Sequence, residues 1–219
     1  IYFVISYNEK INLPNIDKVF FELDKTKVYW KSWCYKTPSF ESYNDEILRS
    51  AMTLKLLNFE KTGAIIAAAT TSIPEAIGEQ RNWDYRFCWI RDASMVIKVI
   101  SKIGHVKMVK NFIDFILNII PDKNEKLQIM YGISGEKNLH EETLDYLSGF
   151  KNSKPVRTGN AAYIQKQNDI YGILMDAIHF QIIKFDDDDK HQELWSIVKS
   201  IVWVVANNWK LPDKGIWEY

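Results

Sequence analysis

DASMVIKVISKIGHVKMVKNFIDFILNII, residues 92–120, decides how the chain folds. In its first half Met95, Val96, Val99, Ile100 and Ile103 recur at intervals of three and four. That spacing predicts an apolar stripe on a helix that Asp92 caps and Gly104 ends. In its second half, residues 106–120, the same spacing returns until Pro121 stops it.

The period extends outward from this pair. Ser42 and Asp45 form a loose capping box before NDEILRSAMTLKLL, where Ile47, Ala51 and Leu54 share a face with Leu48 beside them. Residues 159–185 read as one long helix with Ile164, Tyr171, Leu174 and Ile178 inward. Residues 191–209 read as another, with Leu194, Ile197, Val198, Ile201 and Val205 inward. Between them lie irregular stretches, 58–87 and 121–158. Structureless loops beyond about a dozen residues are uncommon in compact domains and tend to carry function. The pattern predicts a mainly α, layered array with its loops gathered at one rim.

The amino-terminal part reads differently. IYFVIS (1–6) and KVFFEL (18–23) are short runs that suggest a strand remnant of a preceding β domain, and residues 24–40 read as a linker. The chain starts at Ile1 with no signal peptide, so it is expected to be a piece of something longer.

Composition excludes several classes. Hydrophobic residues are 47% of the chain and aromatics 14%, enough for a sizeable core and too many for disorder. Twenty-eight basic residues balance 28 acidic ones with no long basic run, so nothing draws the chain to nucleic acid or an anionic membrane. Cys34 and Cys88 lie too far apart for a structural zinc site and read as free thiols, with one disulfide left open. FDDDDK (185–190) lacks the spaced ligands and glycine of a calcium loop and reads as a solvated turn. There is no N-x-S/T sequon and no apolar run long enough to span a bilayer. A cytoplasmic setting is expected, with no metal and no cofactor.

RNWDYRFCWIRD (81–92) fits neither a core nor an ordinary loop. Four rings alternate with arginines and aspartates. A sugar presents weakly apolar C–H faces and a fringe of hydroxyls; rings pack on the first, while Arg and Asp serve the second. Each element also has a plainer reading. Asp92 alone is a helix cap, the rings alone are core residues, and Arg86 and Arg91 alone are partners for nearby acids.

Three separated segments sharpen the choice: AIIAAATTSIPEAIGEQRNWDYRFCWIRDAS (64–94), the stretch 127–172 around PVRTGNAAYIQKQNDIYG, and LPDKGIWE (211–218). In this order they resemble glycoside hydrolase family 15, which holds glucoamylases, related α-glucosidases and trehalases. The resemblance runs from about residue 26 to the end of the chain. It implies a β-sandwich followed by an (α/α)6 barrel. Residues 1–25 would be the tail of the sandwich, 26–41 a linker, and 42–219 the first part of the barrel. It implies that Arg91 and Asp92 grip the hydroxyls of a terminal glucose and that Tyr85 and Trp89 wall its pocket. Arg157 and Trp217 would contact substrate, and Glu218 would be the general acid.

The general base of the family lies downstream and has no counterpart in these residues. This implies an inverting, glucoamylase-like enzyme that releases glucose from non-reducing ends, with trehalase as the alternative. A non-catalytic sugar-binding or scaffold fragment is the reading from another class. The expected partners are an α-glucoside substrate and the remaining half of the barrel; a homo-oligomer is left open. Asn160, Gln165, Gln167 and Asp169 read equally well as a solvated helix face or as part of the site.

Overall fold

The computed structural model describes residues 3–11, 15–120, 127–184 and 188–216. Among these, six α-helices carry the fold: α1 (Ile16–Cys34), α2 (Asn44–Leu56), α3 (Ile90–Lys102), α4 (Val106–Ile119), α5 (Asp169–Lys184) and α6 (Asp188–Asn208). Two antiparallel pairs of very short strands pin the loops. β1 (Cys88–Trp89) pairs with β2 (Met130–Tyr131), in the register Cys88↔Tyr131. β3 (Glu142–Thr143) pairs with β4 (Arg157–Thr158), in the register Glu142↔Thr158. The chain adopts the mainly α architecture expected from the period, consistent with the partial helical barrel that the resemblance implies.

α3 is the central element, packed against both α4 and α5, with α6 touching α4 and α5 from outside. It starts at Ile90, two residues before Asp92, because β1 feeds directly into it: the Ile90 N–H donates to the Ile129 carbonyl at 2.9 Å. Trp89 is therefore the cap residue and Asp92 lies in the first turn.

The buried face also differs from the expected stripe. Ile90, Ala93, Ser94, Ile97, Ile100 and Ser101 are inside, whereas Met95 and Val99 are each 52% exposed. Two neighbouring helices press on α3, and the small residues Ala93 and Ser94 let them approach closely. Met95 and Val99 stand three and seven residues beyond Asp92, so they share its face of the helix.

Around this face Phe112, Ile113 and Ile116 of α4, Ile170, Leu174 and Ile178 of α5, and Leu194, Ile197 and Ile201 of α6 close one continuous core. Lys98 of α3 pairs with Asp176 of α5, and Lys190 of α6 with Asp114 of α4.

Three further expectations change. Residues 18–23 are helical, not a strand, and α1 runs through most of the expected linker and across the boundary drawn at residue 25. A short apolar run does not distinguish strand from helix. Here the Asn15 side chain accepts from the Asp17 N–H at 3.0 Å, and Glu22–Lys25 and Asp24–Lys27 pair one turn apart. Residues 3–11 form no strand. α2 begins at Asn44 after Tyr43 in the left-handed region, φ 58°, and has no side-chain cap, so the Ser42/Asp45 box does not form. Asn44 instead accepts from the Phe40 N–H at 3.1 Å.

The long helix expected at 159–185 is two pieces, a 3₁₀ turn at Ala161–Ile164 and then α5. Its break at 165–168 is held by tertiary bonds. The Lys166 ammonium donates to the Asn208 and Leu211 carbonyls, both at 2.9 Å, and the Asn168 N–H donates to Asp213 at 2.8 Å. Ile164, expected inward, is consequently exposed.

α1 is anchored near its end. The Trp33 ring stacks on His105, at 3.7 Å between centroids and 6° between planes, and His105 is hydrogen-bonded to the Thr37 hydroxyl at 2.8 Å. Burial, with Lys36 and Lys55 nearby, lowers the imidazole from its usual 6.5 to about 4. The folded state therefore binds this proton less readily than the unfolded chain. Its stabilisation is complete above pH 6.5 and is lost as pH falls from there towards 4. With solvent screening of the partly buried ring, the loss is expected to be about 1–2 kcal/mol. Urea midpoints measured from pH 7 to pH 4 should drop (roughly, in proportion to that loss) in the natural sequence. His105→Phe, which keeps a ring on Trp33, should flatten that dependence; an unchanged slope would refute the assignment.

Candidate functional site

The strip 81–92 runs extended before it enters α3, and extended backbone sends alternate side chains to opposite sides. Asn82, Asp84 and Cys88 are fully buried, whereas Trp83 and Tyr85 face a cleft. The strip is held from behind by segment 67–72. The Ala67 N–H donates to Phe87, Ala68 to Tyr85 and Ser72 to Trp83, each at 3.0 Å. Burial pushes the Cys88 thiol up to about 12, so it is an inert wall residue. Cys34 is also a free thiol.

The cleft has a volume of about 650 Å³, room for one or two hexose rings. Trp83, Tyr85 and Trp89 form one wall, with 6.1 Å between the Tyr85 and Trp89 centroids. Arg91, Asp92, Glu141, the run Asn160–Ala162 and Ile216 line it as well. Four of the residues singled out from the sequence, Tyr85, Trp89, Arg91 and Asp92, therefore meet in one cavity. Glu218 and Trp217 lie outside the described residues; Ile216 brings the segment that precedes them to the cleft.

Arg91 is held in place by α5 and the break before it. Its Nη1 donates to Gln167 Oε1 at 2.9 Å and to Asp169 Oδ2 at 3.1 Å, and its Nε lies 3.8 Å from Asp92 Oδ2. Gln167 is buried, so the reading of 165–169 as a solvated face does not apply to it. Asp92 remains half exposed to the cleft. Burial raises its carboxyl above the usual range; the Arg91 charge opposes this and the Asp169 charge adds to it.

Arg157 does not itself line the cavity but supports two residues that do. Its guanidinium lies 4.4 Å from the Trp83 ring centroid and pairs with Glu141 at 3.2 Å. Arg157, expected to contact substrate, is instead engaged in this ion pair and stiffens the wall. Glu141 Oε2 also accepts from the Ala161 N–H at 3.1 Å. Asp84 was open to a sugar-binding reading and is turned away instead: it is buried and bonded entirely within the protein. Trp83, Glu75, Arg81 and Glu141 join the cavity without having been singled out as site residues. Alternation along the strip gave the signal for Trp83; the others arrive through loop pairings that no local period encodes.

Among the described residues no group of three or more His, Cys, Asp or Glu side chains could hold a metal ion, and no helix is long and apolar enough to cross a membrane. The arrangement offers rings, one fixed guanidinium and one partly desolvated carboxylate around a hexose-sized space.

The pattern that describes Glycosyl hydrolases family 15 matches residues 41–219. Among curated proteins, a trehalase of Mycolicibacterium smegmatis is 39% identical over 201 residues, covering 89% of this chain and 29% of the relative. A trehalase of Thermoplasma volcanium is 38% identical over 202 residues, covering 92% of this chain and 32% of the relative. Trehalase 1 of Sulfolobus acidocaldarius is 41% identical over 178 residues, covering 80% and 32%. The chain thus spans about a third of the length of these relatives. No solved structure matches it.

Proposed function

Since the chain belongs to glycosyl hydrolases family 15, we propose that it forms the glucose-gripping wall of an inverting hydrolase acting on trehalose. The observation that carries this reading is the pairing of Arg91 and Asp92 in a cleft walled by Trp83, Tyr85 and Trp89. The rings take the apolar faces of a terminal glucose. Arg91 donates to its hydroxyls and Asp92 accepts from them. The names of the relatives favour trehalose over the glucoamylase-like substrates expected first.

In the proposed reaction Glu218 protonates the glycosidic oxygen as the C–O bond to the terminal glucose breaks. A second carboxylate removes a proton from a water that attacks the opposite face of the sugar. Such pairs stand roughly 6.5–9.5 Å apart to admit that water. The second carboxylate is assigned to no residue of this chain, so the 219-residue chain alone should give no turnover.

A panel of trehalose, maltose, isomaltose and starch, assayed by glucose release with the protein at its natural full length, tests the substrate. Trehalose should lead, and each turnover should release one β-glucose and one α-glucose. Retention of configuration, or no reaction with any of the four, sinks the proposal. Glu218→Gln should lower kcat by about a thousandfold while leaving inhibitor affinity nearly unchanged.

A further inference from the structure

We infer that Asp84 is a positioning residue that fixes the shape of the cleft by tying together two of the segments that line it. The inference rests on the sugar-binding reading above and adds to it a residue that touches no sugar. Asp84 is fully buried, with 0% exposure, and its carboxylate accepts four hydrogen bonds. Oδ1 accepts from the Arg86 N–H at 3.1 Å and from Arg86 Nε at 2.9 Å. Oδ2 accepts from Arg86 Nη2 at 2.8 Å and from the Gly159 N–H at 3.1 Å. Its backbone carbonyl takes a fifth bond, from Asn160 Nδ2 at 3.1 Å.

These bonds join two segments that line the cavity. Asp84 sits between Trp83 and Tyr85, and Gly159 precedes Asn160, Ala161 and Ala162, all of which line it. Neighbouring bonds reinforce the junction: the Thr71 hydroxyl donates to the Arg157 carbonyl at 2.7 Å, and the Arg157 N–H donates to the Ser72 hydroxyl at 2.7 Å.

The negative charge is what makes the clamp. A buried carboxylate is tolerated only when donors surround it, and here every donor is supplied by the strip or by the loop at Gly159. An amide in the same place presents a single acceptor oxygen and turns N–H groups towards groups that are themselves donors. Either Gly159 or Arg86 then loses its partner, and the loop is free to move away from the rings. Replacing the Arg86 side chain removes two of the four donors but leaves the bond from the Gly159 N–H to Oδ2.

The test compares Asp84→Asn with Arg86→Gln in the protein at its natural full length, using trehalose as substrate and deoxynojirimycin, a glucose-shaped iminosugar, as ligand. For Asp84→Asn the expected result is a rise in both KM and the inhibitor constant of about tenfold or more. Arg86→Gln, which leaves the Gly159 N–H on Oδ2, should raise both by less than Asp84→Asn does. A merely structural role would reduce the amount of folded enzyme and leave KM and the inhibitor constant of the remainder unchanged; that outcome overturns the inference.

Hydrogen exchange on the unmodified protein supplies a second measurement that needs no variant. Inhibitor binding should slow exchange at 85–92 and 159–162 together, and protection confined to one segment also overturns it. Failure of the unmodified protein to bind the inhibitor at all is a separate result, which removes the sugar-binding reading itself.

Discussion

Replacing Arg91 by leucine is expected to lower kcat/KM on trehalose by about a thousandfold. The magnitude follows from the role proposed for the guanidinium. Two hydrogen bonds from a buried cation to sugar hydroxyls contribute on the order of 1.5–3 kcal/mol each, so losing both costs about 3–6 kcal/mol. The substitution also strands the partners that hold Arg91: Gln167 Oε1 and Asp169 Oδ2 lose the donor they share.

Arg91→Lys should recover only part of the loss. An ammonium is a point charge and cannot direct two parallel N–H groups at adjacent oxygens while keeping both protein contacts. The measurement is steady-state kinetics on the full-length protein, with a melting curve to account for any change in fold. Activity of Arg91→Leu within fivefold (roughly) of the natural enzyme would remove Arg91 from the site.

The second large effect concerns Gly159. Its φ is +79°, a conformation that costs a side chain energy, and a Cβ built there would lie 1.8 Å from the His140 carbonyl oxygen and 2.5 Å from its carbon. Both are backbone atoms, so no rotamer change relieves the contact. Gly159→Ala must push β4 away from the chain that leads into β3, and the Gly159 N–H leaves Asp84 as it does so. A cost of about 2–4 kcal/mol is expected, with a melting temperature lower by roughly 10 °C.

Loss of inhibitor affinity should accompany the drop, because the moving segment leads into Asn160–Ala162, which line the cleft. Gly78 is the control. Its φ is +87° but nothing lies within 4 Å of its Cβ position. Gly78→Ala should cost only about 1 kcal/mol of backbone strain and leave affinity unchanged. Equal effects at the two glycines would show that packing around Gly159 is looser than the structure indicates.

The parts of this protein that were legible in advance are those written in a local period. The helical spacing of α3 and α4 and the alternation of rings and charges through residue 92 are properties of neighbouring residues, and both the mainly α fold and the aromatic wall follow from them. What escaped depends on contacts across the chain. α3 begins early because β2 pairs with β1, far from it in sequence. The apparent helix at 159–185 is interrupted because Lys166 and Asn168 are claimed by residues 208–213. Gln167 read equally as a surface amide or a site residue until the break before α5 placed it on Arg91. Asp84 was visible as an acid among rings, but its inward side became evident only once the strip was known to be extended there.

The break before α5 binds two fates together. Lys166 and Asn168 moor the stretch leading to Ile216, while Gln167 and Asp169 moor Arg91. These are four consecutive positions with interleaved duties. A single inserted or deleted residue among them would throw both moorings out of register at once. Any attempt to graft this grip onto another scaffold must therefore carry 165–169 across intact, as an indivisible cassette.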